Sequence, residues 1–349
     1  MFDDFYGHEA VTAALDLMIR ENRIPQTMLF SGAEGVGKAT LARRFAARLL
    51  GDPGKIEKDD LSRPENAAYV AERERWTSEK RVQDPLVFGT HPDFLTFPPD
   101  GPLRQISIQQ MRLLKERAQY GPLKGKRRVF LVDQIDRANE QAANSLLKIL
   151  EEPPDYLVLV LTASNPYDLL PTIRSRAVPF HFPPLSPDQM LVYLQNRGID
   201  HIDRRIALAS GCPGAAVSID LDSYDKRRTA MLALLQVAAG REPFALWARH
   251  SETIGASKSE KLDAYLKVLY LLIEDLLVLN ECGAGTAALL RNIDLKKELT
   301  PIAQSVSFDW ISLATRKIDE IAAFLRRNIQ KTIALDAFVV DLRAKARSG

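Results

Sequence analysis

Over the first 182 residues, short apolar runs alternate with segments whose apolar residues recur at helical spacing. The runs 26–31, 128–132 and 156–161 read as strands. Segment 39–50 reads as a helix, and so does the stretch after Asn139, where Ala143, Leu146, Leu147 and Leu150 fall on one face. Asn139 is placed to cap that helix and Pro153-Pro154 to stop it. The alternation predicts an α/β fold, a parallel sheet flanked by helices. Pro183-Pro184-Leu185-Ser186-Pro187 then punctuates the chain, and three short helices, including 187–197 and 204–210, fit between 186 and 219. Beyond 221 no strand pattern remains. Segments 224–240, 258–280, 284–298 and 311–347 carry a 3.6-residue period, which predicts a helical bundle. The expected division is 1–182, 183–220 and 221–349.

The first strand runs into Ser31-Gly32-Ala33-Glu34-Gly35-Val36-Gly37-Lys38, with a helix directly behind it. This is a phosphate-cradling loop. Its glycines let successive backbone N–H groups turn toward phosphate, the helix N-terminus adds positive charge, and Lys38 neutralises the β and γ oxygens. The pattern breaks one residue later. A Ser or Thr there would ligate Mg²⁺, but Ala39 has no oxygen and Thr40 lies one helical position further round. The glycines and Lys38 favour nucleotide, whereas the lost hydroxyl weakens Mg²⁺ coordination and puts hydrolysis in doubt.

Arg128-Val129-Phe130-Leu131-Val132-Asp133 is an apolar run ending in a carboxylate. Such a strand delivers Asp133 to the C-terminal edge of a parallel sheet, where α/β folds bind ligands. Asp133 is the Walker B candidate. The next residue, Gln134, stands where hydrolysing enzymes of this design carry a water-polarising glutamate, and an amide cannot act as a base.

From Asp133 onward the sequence Asp133-Gln134-Ile135-Asp136-Arg137-Ala138-Asn139, then Asn144-Ser145-Leu146-Leu147-Lys148-Ile149-Leu150-Glu151-Glu152-Pro153-Pro154, closely resembles bacterial clamp-loader subunits of the AAA+ ATPases, nearest to their delta-prime type. The resemblance is dense from Phe5 to about Pro184, weak over 51–84 and mostly architectural after 220. It implies a P-loop domain, a small helical lid and an all-α collar that joins a ring of five subunits. Ser175-Arg176 resembles the family's Ser-Arg-Cys motif, with Ala177 in place of cysteine. There the arginine is a finger that stabilises charge on a neighbour's γ-phosphate, so Arg176 takes that role and Ser164 falls at the sensor position. Active members carry Gly-x-x-Arg in the lid; here the stretch is Gly211-Cys212-Pro213-Gly214-Ala215-Ala216, without arginine.

The resemblance therefore implies a subunit with a degenerate ATP site (Gly32, Gly35, Gly37, Lys38, Thr40, Asp133 and Ser164), holding ATP or ADP without hydrolysis and acting in trans through Arg176. Its implied partners are the gamma/tau and delta subunits of DNA polymerase III, the sliding clamp, and primer-template DNA held by backbone contacts. An ATP-hydrolysing motor of the gamma/tau kind is the rival. Ala39, Gln134 and the missing lid arginine oppose it. A free-standing nucleotide switch ranks last, since Arg176 would then have to face its own phosphate.

Composition changes this picture little. The 349 residues, 46% hydrophobic, support full cores. A net charge of +2 favours local, phosphate-directed DNA contact over a protein built around nucleic acid. Lys124, Lys126, Arg127 and Arg128 form one basic cluster, most simply a solvated turn. Many clamp-loader relatives insert a four-cysteine zinc module before the Walker B strand, but 51–84 is charged and holds no cysteine. The chain's two cysteines, Cys212 and Cys282, make no zinc site and suit a reducing cytosol. The acidic start Met1-Phe2-Asp3-Asp4 lacks a basic, apolar leader, and the most apolar later segment, 265–279, is interrupted by Lys267, Glu274 and Asp275. A cytoplasmic protein without a membrane span is expected.

Overall fold

The structure, a computed structural model, describes residues 2, 5–256, 262–282, 289–324 and 330–347. It divides into two compact units, residues 1–198 with 211–215, and residues 199–210 with 216–349.

In the first unit, α1 (Glu9–Arg20) precedes β1 (Thr27–Ser31) and α2 (Lys38–Leu50). Three short helices follow, α3 (Pro53–Ile56), α4 (Pro64–Arg73) and α5 (Ser78–Gln83), then β2 (Phe94–Phe97), α6 (Ile108–Ala118) and β3 (Arg128–Val132). The unit continues with α7 (Glu140–Glu151), β4 (Leu157–Ala163), α8 (Pro171–Arg174), β5 (Val178–His181) and α9 (Pro187–Gln195). The five strands form one parallel sheet in the order β2-β3-β4-β1-β5. Strands β1, β3 and β4 are buried at every residue, as a sheet covered on both faces requires, and their near-continuous apolar sequence follows from that burial. Edge strand β5 exposes Val178, Pro179 and His181, and an edge is where a proline without an N–H is tolerated. Asn139 caps α7 by accepting from the Ala142 N–H at 2.8 Å.

The charged stretch 51–84 folds around a cation. Arg73 is fully buried, paired with Asp100 at 2.8 Å and Asp84 at 3.3 Å, and its guanidinium lies 4.3 Å from the Trp76 ring centroid. A buried cation is tolerated only with such saturation. Arg128 likewise leaves the solvated turn expected of its cluster. It is buried, and it donates to the carbonyls of Arg117 at 2.6 Å and Tyr120 at 2.9 Å.

The second unit is helical. It holds α10 (Ile202–Ala209) and, past the boundary that falls within α11 (Pro213–Ser218), α12 (Leu221–Ala238), α13 (Phe244–Ala256), α14 (Leu262–Cys282), α15 (Lys296–Ser305), α16 (Phe308–Phe324) and α17 (Lys331–Arg347). Trp247, Trp310, Leu269 and Leu272 lie in its core. Helix α14 buries Leu266, Leu269, Leu272 and Leu276 while exposing Lys267 and Glu274. Among the described residues, no helix is long and apolar enough to cross a membrane. Residues 258–261, 284–288 and 325–329 of the predicted segments, the last including Asn328-Ile329 at the start of the stretch that resembles the family's ending, lie outside the described residues.

A buried polar network ties the bundle to the chain after Leu290. Asp275 accepts from the backbone N–H of Arg291 at 2.6 Å and of Asn292 at 3.0 Å, and Tyr224 donates to Asn292 Oδ1 at 2.8 Å. Burial pushes the Tyr224 phenol from 10.0 up to about 12. Its folded value exceeds its unfolded one, so the stability it contributes is complete below pH 10 and is lost as pH rises through 12. Denaturant titrations at the two ends of this window should show wild type losing up to ~2–3 kcal/mol more than Tyr224→Phe. Equal losses would remove Tyr224 from the account.

Candidate functional site

The P-loop begins where β1 leaves the sheet, held from both sides. The Gly32 N–H donates to Ala163 O at 3.1 Å, and the Phe182 N–H donates to Ser31 O at 2.7 Å. Gly32, Gly35 and Gly37 have φ of +150°, +82° and +113°, backbone that other residues rarely adopt. Each also has a packing reason. A Cβ on Gly32 would stand 2.3 Å from Phe182 O, one on Gly35 2.8 Å from Ala215 N, and one on Gly37 3.0 Å from the Phe5 ring. Gly37 is the N-cap of α2 and supplies no side-chain acceptor, and the first turn holds no acidic residue. The helix's first N–H groups and positive end thus keep their capacity for an anion.

Lys38 opens α2, is buried, and donates to Ala33 O at 2.8 Å and to Gly32 O. Burial holds its pKa below the usual lysine value, opposed by the charges of Asp133, Asp136 and Glu34. Ala39 offers no oxygen. The Thr40 hydroxyl lies 3.5 Å from Arg43 Nη2, and that buried guanidinium is paired with Asp60 at 2.7 Å and Glu57 at 3.4 Å.

Asp133 follows β3 at the same sheet edge, as its position in the sequence predicts. Burial pushes its carboxyl above the ordinary aspartate range, and the Thr162 hydroxyl opposes this by donating to Oδ1 at 2.6 Å. Thr162 also accepts from the Gln134 N–H at 2.8 Å, where Gln134 takes a left-handed φ of +56°. Ser164, given the sensor position by sequence counting, is exposed, and its backbone N–H donates to Asp136 at 3.0 Å. The hydroxyl that reaches Asp133 is therefore that of Thr162. Its signal in the sequence is a lone hydroxyl near the end of an apolar strand, and only the β3–β4 register, pairing Val132 with Leu161, gives it meaning.

The stretch 211–215 packs on the P-loop. The Gly214 N–H donates to Gly35 O at 2.8 Å, and Cys212 is buried near Lys38, with burial raising its thiol pKa.

Arg176 stands elsewhere. It lies two residues before β5, and Val178, the first residue of β5, pairs with Met28. Every strand runs the same way, so that pairing is four residue rises, ~13 Å, below Gly32, and Arg176 is further back still. Its guanidinium is about one third exposed, pairs with Glu151 at 3.0 Å and donates to Thr172 O at 3.1 Å. Neighbouring Arg174 stacks instead on Tyr167 at 5.2 Å.

The residues brought together fit phosphate better than a hydrolytic metal. A buried ammonium and an uncapped helix start favour polyphosphate, whereas Ala39 gives no ligand for a metal. Among the described residues, no group of three His, Cys, Asp or Glu could hold a metal ion.

Comparison with known proteins extends this picture. The family model for the DNA polymerase III delta subunit matches residues 7–186, just over half of the chain. DNA polymerase III subunit tau/gamma of Haemophilus influenzae is 31% identical over 193 residues, 55% of this chain and 25% of that protein. Subunit delta' of Pseudomonas aeruginosa is 32% identical over 189 residues, 53% of this chain and 52% of its own. Subunit delta' of Bacillus subtilis is 28% identical over 231 residues, 66% of this chain and 64% of its own. The chain thus spans from a quarter to just under two thirds of the length of these relatives.

Proposed function

The chain belongs to the DNA polymerase III delta-subunit family, and from that membership we propose that it serves as a delta-prime-type subunit of a clamp loader, helping to place a sliding clamp on primed DNA. The observation that carries this reading is an asymmetry across the sheet. At the C-terminal edge, the P-loop lacks the Mg²⁺ hydroxyl at Ala39 and the catalytic carboxylate at Gln134. At the other edge, Arg176 is presented outward, too far from its own loop to serve it.

In this reading Gly32, Gly35, Gly37 and Lys38 would hold the phosphates of ATP or ADP, with Thr40, Asp133 and Ser164 completing a degenerate site and Thr162 orienting Asp133. Arg176 would act on a neighbour's γ-phosphate. The partners would be gamma/tau and delta subunits, the clamp through the complex, and primer-template DNA through its backbone. Residues 183–220 would form the lid and 221–349 the collar.

The tau/gamma relative is as similar as the delta' ones, so a motor role is the reading to test against. Purified alone, the chain should show negligible ATP turnover, and whatever ATP it binds should bind nearly as well without Mg²⁺. Turnover of roughly 1 per second or faster, abolished by Lys38→Ala, would establish the motor reading instead.

A further inference from the structure

Three glycines let residues 211–215 press their backbone directly against the P-loop. The Gly214 N–H donates to Gly35 O at 2.8 Å. A Cβ on Gly214 would stand 2.9 Å from that oxygen, and one on Gly35 would stand 2.8 Å from Ala215 N. The stretch is gripped from its other side as well. The Leu185 N–H donates to Gly211 O at 2.8 Å, and a Cβ on Gly211 would stand 2.6 Å from Leu185 O. Backbones approach this closely only where no side chain stands between them.

The loop itself is engaged by groups of its own chain. Lys38 donates to Gly32 O and to Ala33 O at 2.8 Å, Gly214 holds Gly35 O, and His8 Nε2 lies 3.2 Å from Val36 O. Four successive or near-successive carbonyls therefore have partners with no nucleotide involved. Lys38 as a whole residue is 7% exposed, and Cys212, in the same gripped stretch, is 6% exposed. A P-loop lysine must reach phosphate oxygens to neutralise them, and this one is covered and turned onto the loop. Phosphate can take its place in the cradle only if the ammonium leaves those carbonyls and its cover moves.

We infer that residues 211–215 form an autoinhibitory clasp on the P-loop, and that ATP or ADP is admitted only when the contact between Gly214 and Gly35 opens. The inference rests on reading the P-loop as a nucleotide site and adds a gate to it. A site that is competent in only a fraction of molecules binds with its affinity reduced by that fraction. Loosening the clasp should thus tighten binding without any change in the residues that hold phosphate.

Gly214→Ala is the wedge that tests this. Gly214 has no positive φ, so alanine suits its backbone, and the nearest atoms its Cβ would meet all belong to Gly35. The loop is also anchored by the Gly32 N–H on Ala163 O at 3.1 Å, so the clasp is the part that gives. Full-length wild type and variant are titrated with a fluorescent N-methylanthraniloyl ADP, and hydrogen exchange over 211–215 is followed by mass spectrometry. Gly214→Ala should bind about tenfold tighter or more, and Lys38→Ala added to it should abolish the gain. Exchange over 211–215 should be slow in wild type without nucleotide and should quicken at saturating ADP. Equal affinities, each lost with Lys38→Ala, would overturn the clasp and leave the nucleotide site standing. No binding by either protein, or binding indifferent to Lys38→Ala, would remove the nucleotide-site reading and the clasp with it. Should Gly214→Ala fail to fold by circular dichroism, the wild-type exchange decides, because bound ADP that leaves 211–215 as protected as before overturns the proposal.

Discussion

Arg176→Ala should leave the isolated chain folded and able to assemble, yet lower ATP hydrolysis by one neighbouring motor subunit in the reconstituted complex. The ion pair it removes, with Glu151, is largely solvent-facing, and such pairs contribute about 0–1 kcal/mol. The fold therefore has little to lose. A guanidinium supplied across an interface stabilises charge that develops only in the transition state, and such fingers contribute on the order of a thousandfold or more at the site they serve. Other sites in the ring would keep turning over, so total hydrolysis should fall in part while clamp loading falls further. Glu151→Ala separates this role from a structural one, because it frees the same guanidinium without removing it. In the proposed role Glu151→Ala retains activity and Arg176→Ala does not. Complexes matched for assembly, assayed for ATP turnover and clamp loading, decide the matter. Unchanged values for Arg176→Ala, or equal losses in both variants, would make Arg176 a surface arginine.

The contrast between Arg176 and Thr162 marks how far the sequence reaches. Strands β1, β3 and β4 were legible because burial on both faces makes them continuous apolar runs, and the P-loop was legible because its glycines have fixed spacing. Strands β2 and β5 were not singled out. Each is four residues long, and β5 contains Pro179 and His181, the chemistry of a short exposed edge rather than of a core. Helix α13 escaped too, since it buries only Trp247, Ser251 and Ile254 along its length, too sparse for a 3.6-residue period to show. Thr162 depended on register, which single-chain periodicity does not contain. Arg73 and Arg128 were hidden for a different reason. Arginines in a charged stretch read as solvated by default, and only three-dimensional saturation by carboxylates, carbonyls and rings reveals them as interior.

The P-loop glycines were legible as a pattern, but their reason was only half read, and this leads to the second large effect. Phosphate cradling alone would make Gly32 dispensable to an empty fold. The geometry disagrees, because a Cβ there would meet the Phe182 carbonyl at 2.3 Å with φ fixed at +150°, and neither obstacle depends on nucleotide. Residues held in sparsely populated backbone regions cost about 1–3 kcal/mol, and forcing atoms into a packed interior costs about 1–3 kcal/mol more. Phe182 cannot simply retreat, since its N–H holds Ser31 at 2.7 Å and its ring packs on Phe30 and His8. Gly32→Ala should therefore destabilise the first unit by ~3 kcal/mol in the complete absence of nucleotide, a fall of roughly 6–12 °C in its melting transition. Gly54→Ala is the control, because a Cβ there meets nothing within 4 Å and φ is not positive. Calorimetry of nucleotide-free protein should show the first loss and little change for the second. If Gly32→Ala melts with wild type and differs only in nucleotide affinity, the loop is a phosphate cradle alone and its packing role is refuted.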